Sequence, residues 1–296
     1  MTERDHAEEA GAVRTGLAVT ATLCLGELVG GWLTNSLALL TDGVHMFTDV
    51  GALALTWFAL WIGSRPASPQ KTYGYYRAEI LAALLNAVVL LIVAGVVLYE
   101  AWRRILAPSP VLGVPMAIVA AVGLAINVTG AWLLHRGARE SLNVRAAYLE
   151  VLADALSSLA VLVAAGVVIT TGITLADPLA SAAIALLILP RTWGLLRQAV
   201  NVLLEGTPAH LELTEIEAAM TRVPGVRRVH DLHVWTLTSG REAMSAHVVV
   251  ADVRESERLL ESLHAVLHAR FGIDHTTIQL ETEPSPLLRI KGPDPV

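Results

Sequence analysis

Six long apolar runs, separated by short polar connections, occupy the first two-thirds of the chain. They lie near Gly16–Thr34, Leu37–Ile62, Ile80–Trp102, Val114–His135, Ala146–Thr171 and Leu175–Leu195. Each approaches or exceeds the ~20 residues with which an α-helix crosses ~30 Å of hydrocarbon. All are rich in Ala, Leu, Val and Gly, the composition of closely packed membrane helices. The pattern predicts an all-α, six-helix transmembrane bundle.

From Gly206 the periodicity changes. Leu213–Val223 has a helical repeat that stops at Pro224-Gly225, a breaker pair. Val226–Leu237 and Ala243–Ala251 alternate apolar and polar residues around Ser239-Gly240, the signature of a hairpin. Glu255–Phe271 returns to helical spacing and His275–Glu281 alternates again. The order α-β-β-α-β predicts a small α+β domain of the ferredoxin or metallochaperone kind. The expected organisation is an N-terminal segment (1–15), a transmembrane domain (16–205), an α+β domain (206–283) and a disordered, proline-rich tail (284–296).

Composition sharpens this reading. Of the 296 residues, 54% are hydrophobic and 16% charged, and mean hydropathy is +0.57, which excludes an ordinary soluble enzyme and a disordered chain alike. A net charge of −6 argues against a nucleic-acid partner. Cys24, the one cysteine, lies in an apolar run, so any strong metal ligands are histidines and carboxylates. Met1–Gly11 is acidic rather than basic, unlike a signal peptide. Arg4, Arg14, Arg65, Lys71, Arg77, Arg136, Arg139, Arg145, Arg191 and Arg197 fall on one side of the predicted bundle and only Arg103 and Arg104 on the other. By the positive-inside rule both termini are expected in the cytoplasm, in a multi-pass inner-membrane protein.

The informative residues are charges within the spans. The second run carries Asp42, His45 and Asp49; the fifth carries Glu150 and Asp154. A carboxylate at the bilayer centre costs ~2.5–3.5 kcal/mol on insertion scales, a cost that structural hydrogen bonding alone explains poorly when repeated on two helices. His45 and Asp49 are four apart, as are Glu150 and Asp154, so each pair shares one helix face. Two such faces opposed would supply four N and O ligands to a divalent cation. Asp42 is equally explained as a structural hydrogen-bonder, and Asn86 and Asn127 are expected to bond between helices.

These residues and several further motifs resemble those of the cation diffusion facilitator family. The resemblance rests on Ser36-Leu-Ala-Leu-Leu-Thr-Asp42 leading into His45-x-x-x-Asp49, on Tyr73-Gly-Tyr-Tyr-Arg77-Ala-Glu79, on Asp154-Ala-Leu-Ser-Ser and on Asp177-Pro-Leu-Ala-Ser. It continues through Leu203-Leu-Glu-Gly-Thr-Pro208, Asp231-Leu-His-Val-Trp235, Ser245-Ala-His-Val and His275-Thr-Thr-Ile-Gln-Leu-Glu281. It implies a homodimeric exporter that exchanges a divalent metal, Zn²⁺ first, for protons. Two departures stand out. The family's zinc members have His where this chain has Glu150, which by ligand softness strengthens Mn²⁺, Fe²⁺ or Co²⁺ (with Cd²⁺ also open). A further metal site of some members, after the second helix, is expected to be missing, because Ser68, Lys71 and Tyr75 stand at the matching positions.

The same resemblance suggests a cytoplasmic metal site of His233, His247, His275 and Glu281, with His233 and His247 meeting across the hairpin. His264 and His268 share a helix face and are expected at the surface; His210 and His230 carry no assignment. The resemblance also implies that Arg77 and Glu205 pair where membrane and cytoplasmic parts join, although Arg77 snorkelling to headgroups explains it nearly as well. No P-loop is visible, so ATP is not an expected driver. Rival readings are a passive channel, a metal sensor, or an intramembrane metallohydrolase, the last lacking a His-Glu-x-x-His motif.

Overall fold

The computed structural model describes residues 20–135, 137–139 and 142–282. The predicted N-terminal segment, the first residues of the first apolar run and the proline-rich tail lie outside the described residues. The transmembrane elements are α1 (20–34), α2 (Leu37–Gly63), α3 (Arg77–Leu106), α4 (Gly113–Leu134), α5 (Leu142–Thr171) and α6 (Ala176–Leu203). Among the described residues five helices, α2 to α6, are long and apolar enough to cross a membrane. The C-terminal part follows the order α7 (Leu213–Thr221), β1 (Val226–Thr238), β2 (Arg241–Val250), α8 (Ser256–Phe271) and β3 (His275–Glu281).

The chain forms two compact units. One takes in the described residues through Trp57 together with Leu85–Leu196; the other takes in Phe58–Leu84 and the residues from Arg197 onward. In the first unit, small side chains let the helices approach. Met116, Ala120, Gly123, Asn127 and Ala131 make a buried stripe on α4 at helical spacing. With Ala38, Leu39, Val161, Ala164, Ala165 and Ile184, part of that stripe forms the main apolar cluster. A Cβ on Gly31 would lie 2.8 Å from the Leu40 backbone nitrogen, so α1 meets α2 closely only because that side chain is absent. Trp32, Trp57, Ile92, Val96 and Trp132 are exposed, as hydrocarbon-facing side chains must be.

The N-terminus of α2, which carries the candidate ligands, is held from α6. Ser36 caps the helix through Leu39 N (3.2 Å). The fully buried Asp177 accepts from Ser36 Oγ (2.5 Å), Leu37 N (2.8 Å) and Ala38 N (3.2 Å). Its charge suits the positive end of the helix dipole, an arrangement worth up to about 2 kcal/mol in buried geometry. Arg104 Nη1 stands 3.7 Å from the same carboxylate.

In the second unit the sheet order is β1-β2-β3, with β1–β2 antiparallel and β2–β3 parallel. One face is covered by α7 and α8, where Ile216, Met220, Leu259, Leu263 and Leu267 pack on Val229, Val234, Met244 and Val248. Each such side chain contributes roughly 1.5–3 kcal/mol by burial. Gly272, at φ 68°, closes α8 in the left-handed conformation that glycine adopts without penalty.

Helix α6 runs to Leu203, eight residues beyond the end expected from hydropathy. Its last turns pack Ala199 and Val202 on Ile80 and Leu84, so tertiary burial sustains a stretch where charge lowers the local hydropathy.

Candidate functional site

Helices α2 and α5 bring the candidate intramembrane ligands together. His45, Asp49 and Glu150 each offer a ligand atom, and these atoms lie within 4.8 Å of one another. His45 Nε2 is 3.6 Å from Asp49 Oδ2 across one helical turn. Asp154 stands outside this triplet, one turn along α5 from Glu150, with its Oδ1 buried and unpartnered. The four residues predicted from spacing therefore include a close group of three and a neighbouring buried carboxylate.

Two participants escaped the sequence reading. Glu27 on α1 is fully buried and neither carboxylate oxygen has a hydrogen-bond partner. Asp42 Oδ1 and His45 Nδ1 are likewise buried and unpartnered. Buried polar atoms without partners are rare, and here they gather on α1, α2 and α5 around the candidate ligands. Asp42 is half-satisfied: its Oδ2 accepts from Ser158 Oγ (3.3 Å), which in turn accepts from Asn127 Nδ2 (3.3 Å). Asn127 thus does bond between helices, whereas Asn86 makes no side-chain hydrogen bond among the described residues. The second missed residue is Arg191 on α6, whose Nη2 pairs with Glu150 Oε2.

The C-terminal cluster differs from expectation. His230, His247 and Glu281 bring ligand atoms within 4.8 Å of one another. The His230 and His247 ring centroids are 5.3 Å apart, His230 Nε2 contacts Glu281 Oε1, and His247 Nδ1 lies 3.7 Å from Glu281 Oε2. His233 is not in this group. A bulge in β1 between His230 and His233, with Asp231 at φ 49°, puts His230 opposite His247 and His233 opposite Ser245. The extra residue keeps His233 on the same face of the sheet as His230 and His247 but moves it to the next pair on that face, away from the cluster. His233 is exposed and hydrogen-bonds Asp231 (3.1 Å). His275 is also outside the group: it pairs with Ala243 at the far end of β3 and meets the Tyr73 ring edge-on at 5.5 Å. Asp231 Oδ2 lies 3.9 Å from His247 Nε2 and offers a fourth donor. Two imidazoles and two carboxylates suit a transition metal bound through N and O. His264 and His268 are exposed, and His268 pairs with Asp274; His210 Nε2 lies 3.7 Å from Glu242.

Within the second unit the Tyr73–Glu79 motif anchors the start of α3 to the sheet. Arg77 Nη2 donates to Glu205 Oε1 at 2.9 Å, within one chain. Glu79 accepts from Thr238 Oγ1 (2.5 Å) and Ser239 Oγ (2.8 Å) of the hairpin, and Arg241 donates to the Tyr76 hydroxyl (2.7 Å). Ser68 and Lys71 exchange backbone hydrogen bonds, and Lys71 Nζ lies 5.4 Å from the Tyr75 ring centre.

The model of the cation efflux transmembrane domain matches residues 13–204, and that of the cation efflux protein cytoplasmic domain matches 208–283. The chain belongs to the cation efflux family. It is 43% identical over 274 residues (92% of this chain, 87% of the relative) to the metal cation efflux system protein CzcD of Cupriavidus metallidurans. It is 41% identical over 278 residues (93% and 87%) to the zinc transporter ZitB of Escherichia coli. A cadmium, cobalt and zinc/H(+)-K(+) antiporter of Bacillus velezensis is 38% identical over 287 residues (94% and 91%). The chain is accordingly a multi-pass membrane transporter and not an enzyme, and the metallohydrolase reading falls away.

Proposed function

We propose that this chain exports divalent transition-metal cations from the cytoplasm in exchange for protons, as a homodimer with both termini cytoplasmic. The observation that carries the reading is the group of His45, Asp49 and Glu150 ligand atoms within 4.8 Å on helices of membrane length, with Asp154 one turn away. Carboxylates and imidazole bind a metal only when deprotonated, so protons and metal compete for the same atoms. A carrier whose site faces each side in turn then couples metal exit to proton uptake. Relatives named for zinc, cadmium and cobalt support Zn²⁺ as the first candidate, while Glu150 in place of His favours harder ions such as Mn²⁺. His230, His247 and Glu281 are proposed to bind the same metals in the cytoplasmic domain, at its dimer contact.

Purified protein in proteoliposomes tests the coupling. Zn²⁺ flux is expected to rise several-fold when a pH gradient is imposed, with protons moving oppositely. Equal flux with and without the gradient would support a channel, and no flux would support a sensor. A fragment of residues Gly206–Val296 tests the cytoplasmic cluster by calorimetry. His230→Ala or His247→Ala is expected to weaken metal binding by about tenfold or more, the scale of losing one group from a metal site, whereas His233→Ala leaves the isotherm unchanged. Loss at His233 alone would restore the assignment made from hairpin alternation.

A further inference from the structure

We propose that Arg191 is a tethered cation that holds Glu150 when no metal is present and so sets how tightly, and for which metal, the membrane site binds. The proposal rests on the reading of His45, Asp49, Glu150 and Asp154 as the transport site. Arg191 Nη2 contacts Glu150 Oε2, on the same carboxylate that joins His45 and Asp49 in the triplet. The guanidinium charge also acts on Asp49 and Asp154. A glutamate at position 150 adds one negative charge relative to a neutral imidazole, and Arg191 restores the balance. The pair is thus equal in charge to a neutral imidazole but different in chemistry.

Two effects follow. A metal ion that takes Glu150 as a ligand must displace a charge-assisted hydrogen bond, the stronger kind of such bond. It must also sit within a few ångströms of a fixed positive charge that repels a dication. Both weaken binding and shorten the time the ion is held, which a carrier requires to release its cargo. Arg191 is more than half exposed (61%), so its long side chain can leave Glu150 without disturbing helix packing. The penalty falls most on metals that depend on the carboxylate, so the guanidinium tilts the site away from Mn²⁺ and toward ions satisfied by His45 and the two aspartates.

Concentration-dependent flux of Mn²⁺ and Zn²⁺ through the full-length protein in proteoliposomes tests this. Arg191→Gln is expected to lower KM for Mn²⁺ by about tenfold, with a smaller fall for Zn²⁺, and to lower the maximal rate of both. A merely structural lesion would not tighten KM. Arg191→Lys, which keeps the charge but not the planar fork, should fall between the two. In a Glu150→Gln background Arg191→Gln should give a clearly smaller shift, because only the repulsion of the ion remains to be removed. Unchanged KM values in Arg191→Gln, or the same shift in the Glu150→Gln background, would overturn the proposal. Wild-type flux in Asp154→Asn would instead overturn the transport-site reading on which it rests, whatever Arg191 does.

Discussion

Asp49→Ala and Asp154→Ala are each expected to lower saturable metal flux by about a hundredfold or more, beyond the 10–100-fold that loss of a mere supporting partner costs a metal site. Their effect on stability should have the opposite character. Asp154 Oδ1 is buried with no hydrogen-bond partner, and Glu27, Asp42 and His45 contribute further unpartnered atoms on α1 and α2. An uncompensated carboxylate in a region of low dielectric costs several kcal/mol when charged, so removing it relieves the bundle rather than wounding it. Thermal melting of detergent-purified Asp154→Ala should therefore match or exceed the wild type while transport disappears. A protein more stable and less active is what a site built for a cation, not for folding, predicts. Near-normal flux in either variant would remove that residue from the site. A fall in melting temperature that accounts for lost flux would show that the carboxylates serve the fold.

The membrane helices and the grouping of acids and histidine within them are legible in the sequence because both signals are strong over short range. Hydropathy over twenty residues locates a span, and an acid within it is conspicuous. Spacing of four places His45 and Asp49 on one face whatever the rest of the fold does. Glu27 was accessible by the same rule, since it lies between Cys24 and Val29 in an apolar run, but it has no partner at i+4 and so lacked the pairing that singled out the others. Arg191 reads in the sequence only as one of the charges that orient the bundle. Its position near the expected end of the last span suits a headgroup contact, and its pairing with Glu150 depends on how α6 lies against α5, a relation no local pattern contains. The cytoplasmic cluster failed for a different reason. Alternation counted from the expected strand ends, Leu237 and Ala243, sets His233 opposite His247. Irregularities at Thr236/Thr238 and His230/His233 shift the pairing, so His233 stays on the same face opposite Ser245 and His230 takes the place beside His247. The family resemblance implies a metal role for His275, whereas its place at the far end of β3 brings its ring to Tyr73.

Arg77→Glu is expected to reduce flux by about tenfold or more, and adding Glu205→Arg to recover part of it. Arg77 Nη2 lies 2.9 Å from Glu205 Oε1, with both side chains partly exposed. In that setting a pair alone contributes about 0–1 kcal/mol, so stability gives it little reason to exist. Its backbone argues for something more. Glu205 follows α6 in the left-handed conformation at φ 59°, where Glu205 N bonds Val202 O and Gly206 N bonds Asn201 O, the pattern of a helix closed by a Schellman turn. Glycine takes that conformation freely, whereas another residue pays roughly 1–3 kcal/mol. The chain accepts this strain and gains a carboxylate against the first turn of α3, the helix whose Glu79 also receives Thr238 and Ser239 from the hairpin. Glu205→Gly separates the two roles. It relieves the strain and should raise the melting temperature, yet it deletes the tie between the end of α6 and the start of α3 and should lower flux as Arg77→Glu does. If Glu205→Gly transports normally, or if the reversed pair is no better than Arg77→Glu alone, the ion pair does not link the C-terminal domain to transport, and Arg77 acts only as an interfacial anchor.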